Sequence, residues 1–147
     1  MSEFIYKFIP MEVNHRFNVH KKEVIDFLDK HIERYDKVEL HQYEQIEFID
    51  CGQRFESVVC NHCHHSLLKT WGQLMNVSAQ GNFKERSFIT PCCGKKTQLD
   101  ALIYYGDSGF ARSSLEVLNP SIDIDDIEIH VFEKVFGCQY KCVISQI

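Results

Sequence analysis

The stretch GFARSSLEVLNP, residues 109–120, decides the fold. Ala111, Ser113, Leu115 and Val117 fall on one face of an extended chain and Arg112, Ser114 and Glu116 on the other, the period-two pattern of a strand with one buried side. Asn119, Pro120 and Ser121 close it. The pattern then changes to helical spacing: Ile124, Ile127, Val131 and Val135 form a stripe that runs to Phe136, with Phe132 beside it. Asp125 with Glu128 resembles a capping box, and Gly137 is placed as the residue that ends the helix. The acidic run Asp123, Asp125, Asp126 and Glu128 lacks the spacing of a calcium loop and suits the positive end of a helix. From residue 138 alternation returns, Cys138, Tyr140, Cys142 and Ile144 against Gln139, Lys141 and Ser145. This end of the chain therefore predicts strand, helix, strand.

The other end repeats the plan. Residues 4–11 are aromatic and β-branched and read as a strand ending near Pro10. Residues 20–35 place Val24, Leu28, Ile32 and Tyr35 at helical spacing, with Ile25 and Phe27 widening the stripe and Lys21, Lys22, Asp26, Asp29 and Lys30 on the polar side. Residues 41–50 form a second strand, Ile46 and Phe48 alternating with Gln45 and Glu47 until Asp50, Cys51 and Gly52 break it. Without residues 52–108 the order is β-α-β twice, the split βαβ arrangement of ferredoxin-like α+β folds. The expected organisation is one α+β domain from residues 1–51 and 109–147, with an inserted subdomain at 52–108.

A chain of 147 residues, 44% hydrophobic and 25% charged, suits one globular domain with a small appendage, which excludes a collagen-like chain, a disordered tail and a membrane bundle. Apolar runs are short, and Glu3 and Lys7 interrupt the first ten residues, so a soluble, cytoplasmic protein without a membrane segment is expected. The formal net charge of −5 argues against the whole surface being a polyanion binder.

The insertion carries the chemistry. Four of the seven cysteines lie in two clusters, Cys60-Asn61-His62-Cys63-His64-His65 and Thr90-Pro91-Cys92-Cys93-Gly94, whereas Cys51, Cys138 and Cys142 stand apart as small apolar residues. An odd count in a reducing compartment argues against a disulfide framework and for metal. A C-x2-C turn aims backbone N–H groups at two thiolates that share one ion, and a second turn completes a tetrahedron. The second cluster departs from that rule, because the first ligand of its turn would fall at Thr90. Cys93 takes the second ligand's place, and the fourth ligand is either the adjacent Cys92 or one of His62, His64 and His65. The expected ligands are Cys60, Cys63, Cys92 and Cys93, holding structural Zn2+. Separated thiol pairs suit zinc better than an iron–sulfur cluster. Four thiolates leave no position for water, and no H-E-x-x-H or deaminase pattern is present, so no catalytic residue is assigned; Glu56 or Glu85 would be the base if the centre were open. A redox alternative rests on Cys60 and Cys63 preceding a helical segment containing Leu67, Leu68, Trp71, Leu74 and Met75.

Residues 60–98 hold Lys69, Lys84, Arg86, Lys95 and Lys96 against Glu85, while the remainder has 11 basic and 20 acidic residues. This asymmetry suits a nucleic-acid face with His62, His64, His65 and Trp71, or, more simply, compensation for a centre of net charge near −2. Trp71 is expected in the core of the insertion. The segment from Tyr104 to Arg112 is read as the return to the sheet, its two glycines permitting unusual backbone angles. Arg112 could bind an anion, although a cross-strand ion pair is the commoner fate.

Taken together, Cys60-x-x-Cys63, Thr90-Pro91-Cys92-Cys93-Gly94, Leu99-Asp100-x-Leu102-x-Tyr104, Gly109-Phe110-Ala111-Arg112 and Asn119-Pro120 resemble an uncharacterised bacterial family of small proteins with a zinc-ribbon-like insert. The resemblance spans residues 49–139 and implies a bacterial, cytoplasmic metal-binding protein with no established activity; Asn61 and His64 stand where its members tend to carry C-P-x-C-G. The function expected is a zinc-binding module that recognises another macromolecule, a protein partner before nucleic acid, with a homodimer through free strand edges also open. An immunity or inhibitor protein with an acidic face, a nucleic-acid-associated factor, a metal-dependent hydrolase and a C-x2-C redox protein are the alternatives.

Overall fold

The alternating stretch becomes an inner strand of an antiparallel sheet. A computed structural model describes residues 3–121 and 129–147. The elements are β1 (Phe4–Pro10), α1 (Lys21–His31), β2 (Lys37–Ile49), β3 (Ser57–Val59), α2 (Leu68–Gln80), β4 (Ser87–Ile89), β5 (Lys96–Gln98), a single 3-10 turn (Leu99–Ala101), β6 (Ile103–Tyr105), β7 (Gly109–Leu118), α3 (Ile129–Phe136) and β8 (Tyr140–Gln146). The chain is α+β, and its largest sheet has the order β2-β7-β1-β8 with every neighbouring pair antiparallel. β1 and β2 thus run the same way with β7 between them, and β7 and β8 do so with β1 between them. Among the described residues no helix is long and apolar enough to cross a membrane.

One face of the sheet carries the helices. Val24 and Leu28 of α1 and Phe136 of α3 pack with Phe8, Val38, Leu115 and Val117 of the strands, with Phe17 and Ile32 closing the cluster. Burying each such side chain contributes roughly 1.5–3 kcal/mol, which is why the helical stripe and the strand alternation were both legible. The helix ends earlier than its stripe. Ile32 is extended (φ −126°, ψ 126°), and Arg34 pairs with Ser121 through its N–H to Oγ at 2.9 Å and its carbonyl at 2.7 Å. The chain leaves the helix to make these contacts, yet Ile32 and Tyr35 still reach the core. β2 begins at Lys37 instead of residue 41, because Lys37 to Leu40 pair with Leu118 to Leu115.

The opposite face is less polar than alternation predicts. Val143 and Ile9, whose neighbours Cys142 and Phe8 face the helices, pack with Ile49, Cys51 and Ala111. Ser145 and Ser114 are buried there too, Ser114 against the Tyr43 hydroxyl at 2.9 Å. Between Gln42 and Glu47 the β2–β7 pairing is interrupted, so that residues 43–46 of β2 stand opposite Arg112 alone. The expected cap of the second helix, Asp123 to Glu128, lies outside the described residues, as do Ile124 and Ile127.

Between β2 and β7 the chain makes two short ribbons, β3 with β6 and β4 with β5, flanking α2. Val58, Cys60, Leu67, Met75, Leu99 and Leu102 form their core together with Ile46 and Phe110 of the large sheet. Trp71 belongs here: it stacks on Phe55 (5.2 Å, 24°), meets Phe48 edge-on (5.6 Å) and donates from Nε1 to the Tyr104 hydroxyl at 3.2 Å. Gly106 closes the return to the sheet at φ 59°, where a Cβ would collide with the Arg54 carbonyl and lie 2.8 Å from Cys51 Sγ.

Candidate metal centre

Each ribbon ends in a turn, and the two turns have the same hydrogen bonds. In the first, Cys60 N–H donates to the His65 carbonyl (2.9 Å) and His64 N–H to the Cys60 carbonyl (3.0 Å). In the second, Thr90 N–H donates to the Lys95 carbonyl (2.9 Å) and Gly94 N–H to the Thr90 carbonyl (2.9 Å). His64 (φ 62°) and Gly94 (φ 68°) are both left-handed. The turns therefore correspond residue by residue: Cys60 with Thr90, Cys63 with Cys93, His64 with Gly94. Thr97 Oγ1 of β5 donates to Asn61 Oδ1 at 2.7 Å and ties the first turn to the second ribbon.

The four sulfurs converge. Sγ of Cys60, Cys63, Cys92 and Cys93 all lie within 4.8 Å of one another and could hold a metal ion. Cys60 and Cys93 are 3.8 Å apart and Cys63 and Cys92 3.2 Å. A tetrahedron of thiolates about 2.3 Å from a central zinc has edges of about 3.8 Å, so the first pair fits without movement and the second needs to open slightly. All seven cysteines are free thiols. Thr90 fills the place of the missing cysteine: it is buried, and its hydroxyl lies 3.1 Å from Cys93 Sγ and accepts from Lys95 N–H at 3.1 Å. Cys92, two residues further along the same turn and exposed, supplies the fourth sulfur.

The electrostatics favour a negative centre at one sulfur and resist it at another. Burial opposes ionisation of Cys60, but the N–H groups of Cys63 and His62 and the thiols of Cys92 and Cys63 outweigh it and bring the thiol down to about 6; His62 N–H donates to its Sγ at 3.3 Å. Cys92 is pushed up to about 12 by its hydrogen bond to Cys63, by burial, by bonds to Cys60 and Cys93 and by the Cys60 charge. Thiolates packed this closely ionise together when a cation neutralises them.

The histidines stand around the sulfurs. His65 Nδ1 is 3.3 Å from Cys63 Sγ, and His62 Nε2 meets the Lys96 carbonyl at 3.1 Å, so that ring ties the first turn to the start of β5. Neither Glu56 nor Glu85 belongs to the sulfur group; Glu85 accepts from Ser87 N–H at 2.9 Å instead. α2 begins at Leu68, beyond the turn that holds Cys63, so the C-x2-C pair is not on its first turn. Arg86 is engaged by Asp100 at 3.0 Å and the Phe83 carbonyl at 2.7 Å.

A second group went unnoticed in the sequence. Glu39 and Glu116 are directly opposed across β2 and β7, and His41 Nε2 lies 3.1 Å from one carboxylate and 2.9 Å from the other. Like charges in that register repel; the His41 ring stands between the two carboxylates, and Lys37 pairs with Glu39. Alternation from Lys37 to His41 signals the first two residues; Glu116 enters only through the register.

Comparison with protein-family models, curated proteins and solved structures finds no match for the chain.

Proposed function

We propose that the chain is a zinc protein in which Cys60, Cys63, Cys92 and Cys93 bind one structural Zn2+ and staple a zinc-ribbon-like subdomain, residues 52–108, inserted into a ferredoxin-like split βαβ domain. The observation that carries this is the convergence of four sulfurs from two matching turns at near-tetrahedral spacing. The ribbons explain why an ion is needed. Their strands are three residues each, too short to hold together alone, whereas zinc in small modules supplies on the order of 10–16 kcal/mol. Four thiolates leave no coordination position for a reacting water, so the centre shapes a surface instead of performing chemistry.

That surface is read as a protein-binding one. Beside the second turn, α2 and β4 border a cleft of about 490 Å3 that includes Leu74, Val77, Phe88 and Ile89. Val77 and Ile89 are 63% and 62% exposed, a concentration of apolar surface suited to a partner's apolar side chains. The nucleic-acid alternative loses Arg86, which is spent on Asp100.

The test is metal content per chain on protein purified without added metal or chelator, with reactive thiols counted on the same sample. One zinc and three reactive thiols (Cys51, Cys138 and Cys142) is the expected result. No metal, with Cys60 and Cys63 oxidised together, would overturn the reading in favour of redox chemistry. For the partner, a protein held equally by wild type and by Val77→Glu would remove the cleft from the proposal.

A further inference from the structure

Arg112 is the part of the sheet that the metal reading leaves unexplained. It stands alone opposite residues 43–46 of β2, and its Nη2 donates to the Glu44 carbonyl at 2.8 Å. Its Nε is buried without a hydrogen-bond partner, and no carboxylate pairs with it among the described residues. A guanidinium offers five N–H donors and keeps its charge, so a half-buried one without a counter-charge is costly. The cross-strand ion pair expected for this position is not what the sheet provides.

The side chain lines a cavity of about 270 Å3 whose wall also includes Lys84, Asn14, Asn82 and Glu44. Lys84 is exposed and, among the described residues, has no ion-pair partner either. Two cations and two amides able to donate thus converge from three separate stretches: the segment after β1, the turn after α2, and β7. The turn is strained where it delivers Lys84. Asn82 ends α2 in the left-handed region (φ 58°), its N–H on the Ala79 carbonyl at 3.0 Å, and Phe83 follows at φ 58° with its N–H on the Ser78 carbonyl at 2.9 Å. Asparagine tolerates that conformation, but an aromatic residue seldom adopts it. Phe83 is held there by its edge-to-face contact with Phe110 (5.3 Å, 64°), and backbone strain of this kind gathers at binding sites.

We propose that this cavity binds a small oxyanion, a phosphate group either free or at the end of a small molecule, between Arg112 and Lys84 with the Asn14 and Asn82 amides as further donors. The planar guanidinium fork and the point charge of lysine both suit phosphate oxygens. At about 270 Å3 the cavity falls just below the usual range of ligand-site volumes, which selects a single phosphate over a polyphosphate. The proposal is independent of what the cysteines bind.

The test is equilibrium dialysis of radiolabelled inorganic phosphate against the metal-replete full chain at low ionic strength, with sulfate, glycerol phosphate and acetate as competitors. Saturable binding is expected, falling as salt is added and weakened about tenfold or more by Lys84→Met, which removes one charge-assisted contact. Arg112→Lys keeps the charge and loses the fork, and should also weaken binding. Glycerol phosphate competing better than phosphate assigns the site to a phosphorylated small molecule, and competing no better assigns it to free phosphate. No saturable binding, or binding that Lys84→Met leaves unchanged, would falsify the proposal. Because Lys84 is exposed and unpaired, that variant decides the matter even if Arg112→Lys disturbs β2.

Discussion

At Thr90 a single side chain changes the set of sulfurs in an otherwise regular turn. Its backbone makes the hydrogen bonds that Cys60 makes in the partner turn, and its hydroxyl reaches Cys93 Sγ. The expected consequence is an exchange experiment. Cys92→Ser alone should reduce metal affinity by at least about tenfold, as loss of a thiolate ligand opens the centre. Adding Thr90→Cys to it should restore tight one-to-one binding, because a thiol then occupies the position matching Cys60. A metal titration of the two variants in competition with a chromophoric chelator reads both effects, and failure of the double variant to recover would count against the correspondence of the turns. Cys60, Cys63 and Cys93 were legible from spacing alone. Cys92 was one of several possibilities because spacing places the ligand at Thr90, and only the fold of the turn shows which neighbouring group reaches the other sulfurs.

Elements were legible where their pattern is local and indistinct where distant contacts decide. The stripe Val24, Leu28, Ile32 continues through the end of α1, yet the bonds between Arg34 and Ser121, far along the chain, stop the helix at His31. The interruption of β2 left no signal either, since it is defined by what lies opposite on β7. The Gly106 turn was anticipated from composition, and its role can be tested. Gly106→Ala places a methyl group against the Arg54 carbonyl in a left-handed conformation, and should destabilise the protein by about 2 kcal/mol or more. Chemical denaturation should show a lower midpoint with little change in slope; an unchanged midpoint would mean that the turn relaxes freely.

At the scale of the molecule, the helix-side core draws none of its described residues from the ribbons, whereas the second core includes Cys60 and is packed by Cys63 and Cys93. Stripping the metal should therefore loosen one core and spare the other. Trp71, the chain's only tryptophan, sits in the second core and reports on it directly. With chelator, Trp71 emission should shift to the red and become more accessible to a soluble quencher, while most of the far-ultraviolet helical signal persists. Loss of both signals together would show that the two cores fold as one unit, and no change in either would deny the metal its structural role.

The excursion of β2 opposite Arg112 has a consequence of arithmetic. Residues 43–46 are even in number, so β2 stays in frame across them: Val38 and Leu40 face the helix-side core, and Tyr43 and Ile49 both lie on the opposite face. β7 has Arg112 alone at that point, and there its alternation reverses: Leu115 and Val117 join the helix-side core, while Ala111, of the same parity, packs with Ile9 and Val143 on the other face. The segment behaves like a frameshift within β7. Evolution can add or remove residues beside Arg112 in pairs and keep both halves of that strand in place, but a single insertion would turn one half inside out.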